Sequence, residues 1–77
     1  SHIDIDEVNA ELRSIDGVKR VHDLHIWTIT SGMDRLSAHV IIDADRKIDS
    51  QDVLMHANDY FRKKLHIENT TIQIERE

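Results

Sequence analysis

The segment around Ser31-Gly32 constrains the fold most. Beyond this turn, Leu36, Ala38, Val40 and Ile42 alternate with Ser37, His39, Ile41 and Asp43, the period of a strand with one packed face and one free face. Before it, Leu24, Ile26, Trp27, Thr28 and Ile29 form an apolar, β-branched run headed by two histidines three apart, His22 and His25. Two such runs about a glycine turn read as a β-hairpin. Parity then fixes what each side chain faces. For Leu24 and Ile26 to share a core with Ala38 and Val40, the loop needs an odd number of residues, which Ser31-Gly32-Met33 supplies if Gly32 takes a positive φ. That register sets His25 opposite His39 and sends His22 toward the core unless the strand is bulged near its start.

The flanking segments complete the fold. Residues 4–16 read as a helix capped by Asp4 or Asp6, with Ile5, Val8, Leu12 and Ile15 on one face and Asp16-Gly17 as its stop. After the charged loop 43–49, Asp49 or Ser50 caps a second helix. Its buried stripe is Val53, Leu54, Ala57, Phe61 and Leu65, and Arg62, Lys63 and Lys64 complement the dipole at its end. His56 sits off the centre of that stripe beside Asp52 and Tyr60. In residues 69–75, Thr70, Ile72 and Ile74 alternate with Thr71, Gln73 and Glu75, a third strand. The order αββαβ, with a right-handed strand-helix-strand crossover, predicts an α+β two-layer sandwich. Three mixed strands carry both helices on one face, as in a ferredoxin-like or metallochaperone-like fold lacking its first strand. The other face is left bare, showing Trp27, Ile29 and Ile41 among histidines and Gln73, which predicts an interface and a homodimer.

At 77 residues the chain is one domain, 1–77, and buries only about 60% of the surface its unfolded form exposes. It has no cysteine, so reinforcement comes from packing, a metal or a second subunit. A net charge of −5 argues against a nucleic-acid partner, which needs a basic surface, and suits divalent cations. No apolar run reaches the roughly 18–20 residues of a membrane span. Ser1-His2 reads as the remnant of a cleaved tag, and His2 is given no role.

His22, His25, His39, His56, Gln73 and Glu75 come from all three strands and the second helix. Imidazole and carboxylate donors suit zinc and related ions better than calcium. None has the HExxH spacing that identifies a site by itself, and a strand histidine in a small domain is more often a surface or hydrogen-bonded residue. Asp43, Asp45 and Asp49 are most simply loop and capping charges. No nucleophile elbow, Ser/His/Asp set or phosphate-cradling glycine loop is present, so the chain reads as a non-enzyme.

The runs Gly17–Ile42, GVKRVHDLHIWTITSGMDRLSAHVII, and His66–Glu75, HIENTTIQIE, resemble the cytosolic C-terminal domain of cation diffusion facilitator transporters. The resemblance covers nearly the whole chain. It implies the cytoplasmic part of a homodimeric antiporter in the inner or cell membrane, which exports zinc, cobalt or cadmium against protons and whose N-terminal transmembrane domain is absent here. It implies Zn2+, or else Cd2+, Co2+ or Ni2+, bound near the dimer contact by His22, His39, His56 and Glu75. Gln73 stands where some relatives carry histidine, and an amide is a poorer zinc ligand. The implied role of His22 conflicts with parity, so a bulge or a late strand start is expected to turn it outward. His25 is then a surface residue or a support to the ligands. The mechanism expected is electrostatic: facing imidazoles and carboxylates keep two chains apart until a cation bridges them, and occupancy falls as pH drops through the imidazole range near 6.5. The competing readings are a metal-independent dimerisation module and a small-molecule regulatory domain of ACT type.

Overall fold

A computed structural model describes residues 3–77; the tag reading of Ser1-His2 lies outside the described residues. Helix α1 spans Ile5–Arg13. Asp4 caps it, its carboxylate accepting the backbone N–H groups of Asp6 at 2.9 Å and Glu7 at 3.4 Å, and Asp6 and Glu7 place negative charge on the first turn. The helix is shorter than 4–16 because the Ser14 hydroxyl and N–H both turn back onto the Glu11 carbonyl. Gly17 follows at φ 92°, and a Cβ there would lie 2.6 Å from Cγ1 of Ile48. Only glycine fits that corner.

Strands β1, Val18–Thr28, and β2, Asp34–Ile42, pair antiparallel, and β2 pairs parallel with β3, Asn69–Arg76. Helix α2, Ser50–Leu65, makes the crossover, giving one mixed sheet in the order β1-β2-β3. Val8, Leu12, Val53, Ala57 and Phe61 of the helices pack with Leu36, Ala38, Val40 and Ile42 of β2. Both helices therefore cover the same face, as the alternation of β2 predicts. Three apolar expectations change. Leu54, expected in the buried stripe of α2, is half-buried and lines a surface groove with Met55 and His56, one position off the stripe of Val53, Ala57 and Phe61. Ile5, the first residue of α1, is 42% exposed, and burial in that helix begins a turn later at Val8. Ile41, on the face without helices, is 1% exposed between its register partners Arg20 and Glu75.

The hairpin loop is odd in length, as parity requires, but begins one residue early. Ile29 N–H donates to the Met33 carbonyl at 3.0 Å, Gly32 N–H donates to the Ile29 carbonyl at 2.9 Å, and Gly32 has φ 84°. The three loop residues are thus Thr30-Ser31-Gly32, and His25 falls opposite Ser37, not His39.

Candidate metal centre

Strand alternation places the candidate ligands in rows across the open face. Arg20, Ile41 and Glu75 form one row, His22, His39 and Gln73 the next, and His25, Ser37 and Thr71 the third. His22 reaches this face through a bulge between His22 and His25, where Asp23 has φ 52°. The outward turn expected from the family resemblance is present, and both histidines are exposed on one face.

The His22 and His39 rings lie 6.3 Å apart, inclined at 68°. Nε2 of His39 is 3.1 Å from Oε1 of Glu75, shut off from solvent and without a hydrogen bond. The distance is that of an ion pair, but the ring N–H direction misses the carboxylate. An orphaned buried nitrogen beside a carboxylate is costly as it stands. Two tetrahedral zinc ligands at 2.0–2.1 Å would sit about 3.3 Å from each other, so His39 and Glu75 already have the spacing of two corners. Two imidazoles on one ion would bring their centroids to roughly 5 Å; the exposed His22 ring has to swing inward by about an ångström to join them. The donor set fits a divalent ion, although among the described residues no three His, Asp or Glu side chains already converge.

The remaining candidates are placed apart. Gln73 is the register neighbour of His39 and exposed. His25 lies one row away. His56 is on α2, in the helical layer on the far side of the sheet, where it lines a groove of about 380 Å³ with Glu11, Asp16, Tyr60 and Lys63. Burial, and then Glu11 and Glu7, push the Tyr60 hydroxyl pKa up, while a hydrogen bond from Lys63 holds the Asp59 carboxyl below the usual carboxylate range. Sequence reasoning missed Arg20, which pairs with Glu77 beside Glu75. The signal was available: Arg20 sits two residues before His22 and Glu77 two residues after Glu75.

A family model described as the cation efflux protein cytoplasmic domain matches residues 1–77. The chain is 46% identical over 74 residues to a probable zinc transporter of Dictyostelium discoideum, covering 96% of this chain and 13% of that protein. It is 32% identical over 76 residues to a cadmium, cobalt and zinc/H(+)-K(+) antiporter of Bacillus subtilis, covering 99% of this chain and 24% of that protein. The chain thus spans less than a quarter of the length of these relatives. The metal-bound C-terminal domain of the CzcD transporter from Cuprividus metallidurans superposes with a TM-score of 0.85 at 37% identity, over 95% of this chain and 99% of that one.

Proposed function

The chain belongs to the cation efflux family, as its cytoplasmic domain, and from that premise we propose that residues 1–77 are a single metal-sensing and dimerisation domain that regulates a divalent cation/proton antiporter. The ion is Zn2+, with Cd2+, Co2+ or Ni2+ as alternatives. His22, His39 and Glu75 hold it on the open face of the sheet, with Gln73 and His25 at the margin. The observation that carries this reading is the solvent-free, unbonded Nε2 of His39 set 3.1 Å from the Glu75 carboxylate. A cation there satisfies both groups at once, and a proton on the ring, pointing elsewhere, does not.

His56 joins this set only from a second copy, because within one chain the sheet lies between it and the other ligands. Metal binding then couples two chains, and the closing of the homodimer is what a transmembrane domain of the same polypeptide would feel. The named relatives that transport zinc, cadmium and cobalt and the metal-bound C-terminal domain support the choice of ion. Calorimetric titration with zinc chloride tests the site. The His22→Ala, His39→Ala double variant is expected to lose the zinc heat, and an unchanged affinity removes these residues from the site. Sedimentation with and without zinc tests the coupling: the parent shifts toward dimer, and His56→Ala binds zinc but shifts less.

One observation favours a second reading. Trp27 on the open face is 45% exposed and Met33 at the hairpin tip 51% exposed, surface that a metal-independent dimer would also cover. That reading predicts the same sedimentation profile with zinc and with chelator.

A further inference from the structure

The open face owes its histidine pair to the backbone of one residue. In a regular strand successive side chains alternate, so His22 would share the parity of Leu24 and Ile26 and point into the core. In the structure Leu24 and Ile26 pack against the core, yet His22 is exposed opposite His39 and His25 is exposed opposite Ser37. The extra residue that reconciles the two is Asp23, at φ 52°. Two residues, Asp23 and Leu24, there oppose Ala38 alone, the two-to-one count of a β-bulge. Aspartate is among the few non-glycine residues that accept the left-handed region, because its side chain is short and polar.

We propose that Asp23 is a positioning residue: its left-handed backbone, not its carboxylate, turns His22 onto the metal-binding face while leaving Leu24 in the core. This rests on the metal-site reading above. A β-branched residue at position 23 resists the left-handed region and drives the strand toward regular alternation, which returns His22 to the core side. Glycine keeps the bulge without the carboxylate. Deleting Asp23 gives the run His22-Leu24-His25, in which a regular strand sends both histidines outward and leucine inward with no bulge at all.

Zinc titration of the 77-residue chain separates these cases. Asp23→Gly and the Asp23 deletion are expected to stay within about threefold of the parent affinity, whereas Asp23→Val weakens it roughly tenfold, the factor that one unfavourable left-handed residue represents. Equal weakening in Asp23→Gly and Asp23→Val would overturn the proposal, since the carboxylate would then be the contributing group. Should Asp23→Val fail to fold by circular dichroism, the deletion decides, and a folded deletion variant as weak as His39→Ala overturns it. His39→Ala also keeps the two readings apart. If it binds as the parent does, the metal site itself falls. If it loses binding while folded Asp23→Val keeps it, only the positioning role falls.

Discussion

The two faces of β2 differ more than any two elements of the molecule. Toward the helices, Leu36, Ala38, Val40 and Ile42 are buried in one apolar cluster with Phe61, Leu12 and Val8. Away from them, Ser37 and His39 are half-buried among polar row-mates, and His39 carries a nitrogen with nothing to bond. One strand thus gives alternate residues to the core and to the proposed metal site, so the two can be changed separately. Ile41 is the exception, an apolar residue on the open face, closed over where Arg20 pairs with Glu77 beside it.

Substitutions that break the comparison should sort by face. Phe61→Ala, in the centre of the helical side at 0% exposure, is expected to cost about 3–5 kcal/mol, most of the stability of a domain this small, read from urea unfolding with or without zinc. On the other face, His39→Ala should leave the zinc-free unfolding free energy within about 0.5 kcal/mol of the parent, or raise it, because an unsatisfied polar atom is removed. With zinc at a hundred times its dissociation constant the parent should gain about 2.7 kcal/mol and His39→Ala none. Equal zinc gains would erase the distinction between the faces. Gly17→Ala should cost about 1–2 kcal/mol from its positive φ alone, with the Ile48 contact adding to it, and should leave zinc affinity untouched in titration.

The smallest effect belongs to neither face of the sheet. Hydrogen bonding from Lys63 lowers the Asp59 pKa, so its contribution is present above the unfolded carboxylate value near 4 and is lost as pH falls below that. Asp59→Asn should therefore melt slightly below the parent at pH 7, with the gap narrowing as pH falls from about 4 through the lowered folded-state pKa. A gap that does not change with pH would assign the effect to packing.

The order of elements was legible because Leu36–Asp43 and Thr70–Glu75 keep a period of two, while Val53, Ala57 and Phe61 keep that of a helix. Parity also gave an odd hairpin loop. It missed the register because Thr30-Ser31-Gly32 and Ser31-Gly32-Met33 satisfy it equally, and the hydrogen bonds of Ile29 choose between them. That one-residue difference in the turn moved His25 from His39 to Ser37. The bulge was expected from family resemblance, although the residues carried a signal for it: aspartate at position 23 is a poor strand former that tolerates the left-handed region. Burial of Ile41 and the Arg20–Glu77 pair depend on residues brought together from distant parts of the chain, which no local pattern encodes. The row of His22 and His39 was half legible: the residue types were plain, and their meeting required the bulge.

The parallel pairing of β2 with β3 has a consequence for the order of assembly. The β1–β2 hairpin closes a short loop and can form in microseconds, bringing His22 to His39 early. Glu75 arrives only after the whole of α2 has been wound and laid across the sheet, a non-local event that lags behind hairpin closure. At the proposed metal site, a nascent or partly unravelled chain would therefore offer imidazoles without the carboxylate, and tight capture of an ion would be a property of finished molecules alone.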